Sequence, residues 1–435
     1  MKGHVQDRWW RQKKEGTRLV VDANGRPVRE KTDLFGIGDR YKVHFYDEHD
    51  KERSKSFPDK ELGRAKKFLT KMQHDVLAGE YIDPNAGKIT LRVYVKQWLK
   101  GQSQDAATMQ TVGHRLNARV YPKLGDLPLE VVAKVDTLRD WLEWLKDGDG
   151  TTGGVEASYR AQLWDLLSAI LESAVADKKI RANPCKAKSV RRPKPEQRKI
   201  VPWLESKIHK VQLALPPIYQ IMVPLGGGCA LRQMEMFGMS PDDIDRDALE
   251  LHVERQIRWI GSVPVFAPPK GGKTRTVPIG EGVLEAIDDY SENFEPGSLT
   301  LPWLQPGGDP VTVRVLINKR ACEMGKHRGA LASDVWRGGN FTDDVWQPAI
   351  RAAGYVYGKR RDGLHALRHY CASAWLANGV SIKEVAEHLG HHDPGYTLRI
   401  YTHLVPSSHK RARLAANKTF KPRRRPDTAP ESATA

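Results

Sequence analysis

The first part of the chain alternates apolar and polar positions and then changes to a helical spacing. Residues 40–59 read RYKVHFYDEHDKERSKSFPD, and the alternation on either side of Asp47–Asp50 predicts a β-hairpin. Apolar residues recur every three or four positions between about Lys60 and Gly79, which predicts a helix. Residues 1–82 are therefore expected to form a small α+β N-terminal domain, with a three-stranded sheet and one helix.

Residues 88–183 show the periodicity of a helical bundle, and the turn-rich segment YIDPNAG separates them from the first domain. Three apolar stripes predict three of the helices. Their members are Leu91, Val95, Trp98 and Leu99; Leu138, Trp141, Leu142 and Leu145; and Leu163, Leu166, Leu167, Ile170 and Leu171. Asp136 precedes the second stripe and is expected to cap its helix. No residue of this all-α domain stands out as catalytic.

The pattern changes again after residue 183. Residues 184–199 are basic and contain three prolines, which exclude a continuous helix, so this segment is a basic linker. Residues 200–406 mix helical stripes with short strands and predict a mixed α/β, mainly helical domain. Strands are expected at Leu249–Val253 and Thr274–Ile279, and helices at Thr342–Ala353, Leu364–Ala377, Ile382–Leu389 and Pro394–Leu404. The basic, Pro/Ala/Ser/Thr-containing tail, residues 407–435, is expected to be partly disordered.

Composition narrows the class of partner. The 435 residues include 70 Lys+Arg against 53 Asp+Glu, a net charge of +17 with pI ≈ 9.6, which favours DNA, RNA or an anionic membrane surface. The uncharged run Gln212–Leu231 contains three prolines and three consecutive glycines, so we interpret it as buried core rather than a membrane helix. Residues 1–20 are charged and polar, so no secretory signal is expected. Four cysteines without a CxxC pair favour a reducing, cytoplasmic location.

Several nucleotide and metal motifs are excluded by single positions. GGKT in PPKGGKTRTVP lacks the first glycine of a P-loop, because Ala267 occupies that position. His365 and His369 have the spacing of a zinc-protease helix, but Ala366 stands where the glutamate of HExxH is required. The histidines around His391 lack a neighbouring cysteine or carboxylate set, so no metal site is predicted.

Residues suited to binding phosphate begin with an arginine and two lysines. Arg232 lies in GCALRQMEM, where a helix is expected to start after a glycine-rich turn. Lys270 and Lys273 lie in PPKGGKTRTVPI, on an expected β-hairpin turn. Each signal is weak alone, because an arginine at a helix start is usually a surface residue.

Three further motifs follow toward the C-terminus. LHALRHY places His365 and Arg368 three residues apart, on one face of a helix. In EHLGHH, Gly390 is expected to end a helix just before His391. TLRIYTHL places Tyr401 in the last predicted helix. A tyrosine in an amphipathic helix is usually a core residue, so this signal also needs support from its context.

Taken in order, these motifs resemble the tyrosine recombinase (phage integrase) family. The segments that carry the resemblance are GCALRQMEMFGMSPDDID, the pattern K-G-x-K-x-R-x-V-P, HALRH and LGHHDPGYTLRIYTH. Further segments resemble integrases of actinobacterial phages and integrative plasmids. They are DRWW near the start of the chain, RSKSFPD, GEYIDP, GKITL, and the stretch from ALPP to LRQ. The resemblance thus extends over nearly the whole chain, leaving out the final tail.

The resemblance implies a catalytic set at matching positions: Arg232, Lys270, His365, Arg368, His391 and Tyr401. Glu235 matches the acidic residue that supports the first arginine. Lys270 is assigned as the first lysine of the K-G-x-K pattern, and Lys273 lies three positions away on the same turn, so the choice between the two lysines stays open.

The chemistry of phosphodiester cleavage explains why these residue types are needed. Two guanidiniums offer bidentate donors that match the non-bridging phosphate oxygens. The Tyr401 phenol must lose its proton as it attacks, and His365 is expected to assist. The leaving 5′-oxygen needs a proton, which Lys270 would supply, while His391 would hydrogen-bond the phosphate. A 3′-phosphotyrosyl link conserves bond energy and cationic side chains replace metal ions, so the resemblance implies neither ATP nor a metal cofactor.

The resemblance also assigns the domains and partners. Residues 1–82 would bind arm sites, residues 88–183 would form a core-binding (SAM-like) domain, and residues 200–406 would be catalytic. The linker residues expected to contact DNA are Lys186, Lys188, Arg191, Arg192 and Lys194. The implied function is integration and excision of a mobile element by a tetramer on double-stranded DNA, with a directionality factor, a host DNA-bending protein and no membrane partner. An Xer-like resolvase, a type IB topoisomerase-like enzyme and a non-catalytic DNA-binding regulator remain the alternatives.

Overall fold

The structure is a computed structural model that describes residues 3–48, 50–196, 200–317 and 335–401, with positions 413, 414, 416, 417 and 420. The chain forms two compact units, residues 1–104 with 111–196, and residues 105–110 with 197–435. Within the described ranges, every helix is too short or too polar to cross a membrane. The predicted tail and the end of the helix predicted at Pro394–Leu404 lie almost entirely outside the described residues.

An antiparallel sheet covered by one helix forms the start of the first unit. Its elements are β1 (Gly3–Asp7), β2 (Trp10–Gln12), β3 (Lys14–Glu15), β4 (Arg18–Leu19), β5 (Arg29–Lys31), β6 (Tyr41–Tyr46), β7 (Glu52–Phe57) and α1 (Leu62–Leu77). The sheet order is β1-β6-β7, and apolar residues of β6 pack against α1. The predicted hairpin and helix are confirmed. Two further ribbons, β2–β5 and β3–β4, are formed by residues that lie between β1 and β6 in the chain. They were not predicted, because their strands are short and mostly polar.

Helices make up the rest of the first unit. They are α2 (Leu91–Lys100), α3 (Ala106–Arg115, of which residues 106–110 belong to the second unit), α4 (Leu129–Val132), α5 (Val135–Asp147) and α6 (Ala157–Ala176), with a π-helical run at Leu116–Gly125. The three predicted stripes lie on α2, α5 and α6 and form a hydrophobic core of their own. The prediction that Asp136 caps this helix is wrong, because α5 begins at Val135 and Lys134 is its N-cap residue. Asp136 instead lies in the first turn, where it pairs with Arg139 at 2.7 Å.

The second unit mixes helices with small antiparallel sheets, as predicted. Its helices are α7 (Glu205–Ala214), α8 (Pro217–Gln220), α9 (Met222–Gly228), α10 (Gln233–Met236), α11 (Glu281–Asn293), α12 (Gly338–Phe341), α13 (Gln347–Ala352), α14 (His365–Ala377), α15 (Ile382–His388) and α16 (Pro394–Tyr401). Its strands are β8 (Ile244–Asp245), β9 (Glu250–Val253), β10 (Gln256–Ile260), β11 (Val263–Ala267), β12 (Arg275–Pro278), β13 (Gly297–Pro302) and β14 (Pro310–Val315). A π-helical turn, Thr342–Trp346, joins α12 to α13. The run Gln212–Leu231 is largely buried core.

Two local predictions in this unit are wrong. The three glycines before Arg232 do not form a turn, because they end helix α9; a Cβ on Gly226 would lie only 3.0 Å from Leu367 Cβ. The lysine segment is not a hairpin turn either, because β11 pairs with β10 whereas β12 pairs with β9. Its two prolines have no N–H for a ladder, and the two glycines that follow have positive φ. The segment therefore links two sheets.

Candidate active site

The segment between α9 and α10 positions Arg232 through a left-handed residue. Ala230 has φ +52°, and α10 starts directly after Arg232. Glu235, on α10, accepts a hydrogen bond from the Arg232 backbone N–H at 2.8 Å and another from its guanidinium at 2.8 Å. One carboxylate thus fixes both the backbone and the side chain of this arginine.

Arg368 lies on α14, with 1 % of its surface exposed. Its guanidinium donates to the carbonyl of Ala230 at 2.6 Å and to the carbonyl of Leu389. Arg232 donates to the same Leu389 carbonyl at 3.1 Å. Burial, with the charges of Arg232 and Arg275, lowers the pKa of Arg368 to about 9. The structure therefore brings the two predicted arginines together and leaves their charges only partly balanced, which favours an anionic ligand.

Arg275 is a further member of this cluster, and no role was predicted for it from the sequence. Its guanidinium donates to both oxygens of Glu235, at 2.9 and 2.6 Å, and to the His388 carbonyl at 2.8 Å. Burial alone would raise the pKa of Glu235, but the hydrogen bonds from Arg275 and the charges of Arg275 and Arg232 lower it to about 2. The arginine of the K-G-x-K-x-R pattern was visible in the sequence, yet a strand arginine is ordinarily a surface residue.

Tyr401 ends α16, with 1 % of its surface exposed. Its hydroxyl lies 2.6 Å from Nδ1 of His369. Burial raises the pKa of Tyr401, and the charge of Arg368 partly opposes that rise. His365, which was expected to assist the tyrosine, contacts the ring of His369 instead, with centroids 4.7 Å apart. From the sequence, His369 was weighed only as a zinc ligand, although it belongs to the HALRH motif.

His391 follows the end of α15 as predicted. Gly390 has φ +59°, a left-handed conformation that glycine adopts without strain. This turn places His391 Nδ1 at 2.6 Å from the hydroxyl of Thr397, on α16. His391 is therefore held between the end of one helix and the helix that carries the tyrosine.

Burial lowers the pKa of all three histidines. The pKa of His365 is about 3, with contributions from the charges of His369 and Arg368. The pKa of His369 is about 4, with a contribution from Arg368. The pKa of His391 is also about 4, with contributions from Arg368 and Arg232. All three are therefore neutral at pH 7 when no phosphate is bound.

The predicted lysines lie apart from this cluster. Lys270 and Lys273 are exposed on the loop between β11 and β12, and neither makes a hydrogen bond or ion pair with another described residue. Both side chains are free to reach a bound substrate, and the structure does not distinguish between them.

The linker residues differ in how far they are available to DNA. Arg192 pairs with Asp165 through two hydrogen bonds of 2.7 Å, and Lys186 pairs with Glu172 at 2.5 Å. The other three predicted contacts, Lys188, Arg191 and Lys194, are exposed.

Comparison with known proteins identifies the class. Residues 214–407 match the model of the phage integrase family. A XerC-like tyrosine recombinase of Caldanaerobacter subterraneus is 24 % identical, over 82 % of this chain and 91 % of the relative. The phiRv2 prophage integrase of Mycobacterium tuberculosis is 26 % identical, over 71 % of this chain and 73 % of the relative. The Tn1549 transposon integrase in complex with a circular intermediate DNA shares the fold, with a TM-score of 0.56, 18 % identity, and coverage of 75 % of this chain and 98 % of that one.

The chain carries a phage integrase family domain at residues 214–407, and its relatives include tyrosine recombinases, enzymes that cleave and rejoin DNA. The resemblance inferred from the ordered motifs is confirmed, and so is the multidomain fold class.

Proposed function

We propose that this recombinase is an integrase that cuts one DNA strand per protomer through a 3′-phosphotyrosyl link at Tyr401, and so integrates and excises a mobile element. The observation that carries the proposal is the convergence of Arg232 and Arg368 on the Leu389 carbonyl, in the same buried cluster as Tyr401. The two guanidiniums are already fixed by protein acceptors. Binding a phosphate there therefore requires little further ordering of side chains.

In this mechanism the scissile phosphate binds against the arginines. Arg232 keeps 21 % of its side chain exposed, so the phosphate would reach Arg232 from the solvent. The buried Arg368 guanidinium would then donate to the same phosphate. As the tyrosine oxygen attacks phosphorus, the extra negative charge on the non-bridging oxygens is stabilised by the fixed guanidiniums. Lys270 protonates the leaving 5′-oxygen from its exposed loop, with Lys273 as the alternative donor. His391 hydrogen-bonds the phosphate.

The partners follow from the same chemistry. Each protomer carries one such tyrosine and cuts one strand, so an exchange between two duplexes uses four protomers. Residues 88–183 and the exposed linker lysines would bind the core site, in keeping with the DNA complex in which the Tn1549 integrase was solved. A directionality factor and a host DNA-bending protein complete the proposed assembly, which would act on the bacterial nucleoid.

Residues 1–82 would bind the arm sites. Several basic residues in this segment pair with carboxylates, among them Arg40 with Asp7 and Asp59, Arg53 with Asp47, and Arg11 with Glu30. The DNA contacts are therefore expected from exposed residues of the β3–β4 ribbon and the residue before it: Lys13, Lys14 and Arg18.

A nicked suicide substrate tests the proposal. The parental protein should form a covalent adduct with the DNA, and Tyr401→Phe should lose the adduct while binding the DNA almost as well, because only the hydroxyl oxygen is removed. An adduct of normal yield with this variant would move the nucleophile elsewhere, with Tyr396 as the nearest candidate. Adding a partner duplex then separates an integrase from a topoisomerase-like enzyme, since only the integrase transfers its strand to the second duplex.

A further inference from the structure

The hydrogen bond between His369 and Tyr401 has no role in the mechanism above. His369 and Arg368 are neighbours on α14, and Tyr401 ends α16. The 2.6 Å separation joins His369 Nδ1 to the oxygen that attacks phosphorus. His365 is the histidine expected to assist that oxygen, and its ring makes an edge-to-face contact with the ring of His369.

The surroundings of the hydroxyl restrict where its proton can go. Tyr401 is 1 % exposed, so bulk water has almost no access to the proton. His369 is neutral at pH 7, and a neutral imidazole has one nitrogen that accepts and one that donates. With Nδ1 as the acceptor, the phenol O–H donates to it and Nε2 carries the ring proton. The nearest group that can take the proton is therefore His369.

We propose that His369 is the general base of strand cleavage and the general acid of rejoining. The inference rests on the proposed function, in which Tyr401 is the nucleophile. In cleavage, the Tyr401 proton passes to Nδ1 of His369, the tyrosine oxygen bonds to phosphorus, and the bond from phosphorus to the 5′-oxygen breaks while that oxygen takes a proton from the lysine loop. In rejoining, the 5′-hydroxyl returns its proton to the lysine loop as its oxygen bonds to phosphorus, the bond from phosphorus to the tyrosine oxygen breaks, and that oxygen recovers its proton from His369.

DNA binding itself would activate this base. Before DNA binds, burial and the charge of Arg368 keep the pKa of His369 at about 4. The titratable and charged groups near the imidazole are His365 and Arg368 from its own helix, Tyr401 from α16, and His391 from the turn before α16. A phosphate bound by Arg368 brings a negative charge that offsets the guanidinium, which raises the pKa of His369. The imidazole thus becomes a stronger base when the substrate is in place.

The pH dependence of single-turnover cleavage by His369→Asn tests the inference. The asparagine side chain can keep a hydrogen bond to the tyrosine but cannot take its proton. We expect cleavage at pH 7 to be ~10²–10⁴-fold slower than in the parental protein, with unchanged DNA affinity. Hydroxide must then remove the proton, so the rate of the variant should rise about tenfold per pH unit. The parental rate should instead level off near neutrality and fall on the acidic side, as His369 becomes protonated.

Three controls make the result decisive. His209→Asn changes an exposed histidine on α7 and should keep the parental rate and profile. Tyr401→Phe should form no adduct; an adduct there contradicts the proposed function rather than the role of His369. A substrate with a 5′-bridging sulfur needs no proton on its leaving group, so it should leave the His369→Asn defect in place.

Two outcomes would overturn the role of His369. One is a pH profile of His369→Asn that runs parallel to the parental profile, which is what a purely structural defect produces. The other is rescue by the bridging sulfur, which would place His369 on the leaving group. If the variant folds poorly, the parental profile alone remains a test, because the absence of an acidic limb contradicts a histidine base.

Discussion

At the scale of single residues, the site is built from guanidiniums held by oxygen atoms of the protein. Arg368 donates to the carbonyls of Ala230 and Leu389, and Arg232 donates to Leu389 and to Glu235. A planar group with five N–H donors can satisfy these acceptors and still present an edge to a phosphate. Lysine carries the same charge at a single point and cannot do both.

Arg232→Lys and Arg368→Lys are therefore expected to cleave ~10²–10³-fold more slowly than the parental protein in single-turnover assays. Arg368→Lys should also lower the free energy of unfolding by about 1–3 kcal/mol, because it leaves a buried carbonyl without its donor. Arg232 is partly exposed, so its replacement should cost less stability. Cleavage near the parental rate by either variant would refute the bidentate clamp.

At the scale of elements, the site depends on close packing between α9 and α14. Residues of α9 contact Leu367, the neighbour of Arg368, and the chain leaving α9 carries Ala230, whose carbonyl holds Arg368. Gly226 permits this approach, because a side chain at that position would meet Leu367.

Gly226→Ala and Gly227→Ala form a matched pair. A Cβ on Gly226 would lie 2.9 Å from Met236 Cε and 3.0 Å from Leu367 Cβ, whereas a Cβ on Gly227 meets nothing closer than 3.9 Å. Overpacking at Gly226 should cost ~1–3 kcal/mol of unfolding free energy. Gly227→Ala should be neutral or stabilise by up to about 1 kcal/mol, because alanine restricts the unfolded chain. Denaturant titration measures both, and equal destabilisation by the two changes would contradict the packing argument.

The loop between β11 and β12 carries two lysines, and alanine variants of the two can be compared. Lys270→Ala should slow cleavage more than Lys273→Ala, and only Lys270→Ala should recover on a substrate with a 5′-bridging sulfur. The reason is that a thiolate leaves without a proton, so a missing general acid no longer matters. Rescue of Lys273→Ala instead would assign the general acid to the second lysine.

At the scale of the whole molecule, the first compact unit contains two separate hydrophobic cores. Residues 41–81 contain one buried cluster and residues 91–190 contain another, although both belong to the first unit. An ion pair between Glu48 and Lys178 connects them, and Arg53 pairs at 2.9 Å with Asp83, which lies in the segment of chain between the two clusters. These links are partly exposed, and such pairs contribute little stability. The second cluster should therefore persist when the first is removed.

Deleting residues 1–82 is expected to leave cleavage of a core site intact and to abolish recombination that depends on flanking arm sites. The proposed catalytic residues all lie in the second unit, and the first segment would provide a separate contact that raises the local concentration at a bridged site. Arm binding by the full chain should weaken steeply with salt, because basic residues displace counterions from DNA. Core cleavage assays on the truncated protein and gel shifts over a salt series measure both effects. Failure of the truncated protein to cut a core site would instead make residues 1–82 a structural part of the core complex.

The sequence by itself determined the family and most of the local structure. Apolar periodicity located α1, α14, α15 and the β6–β7 hairpin, because it reports which face of an element is buried. The order of the arginine, lysine, histidine and tyrosine motifs identified a tyrosine recombinase. The roles of the individual residues and the functional division into domains stay predictions for the experiments above.

Only the tertiary structure decided which side chains meet. Arg275 joins Glu235 from a strand 40 positions away, and His369 reaches Tyr401 across 32 positions. Within each element, Arg275 looks like an ordinary strand arginine, and His369 looks no different from His365 one turn earlier. Periodicity specifies the buried face of a helix or strand, but the partner of a buried polar group depends on how elements far apart in the chain pack together.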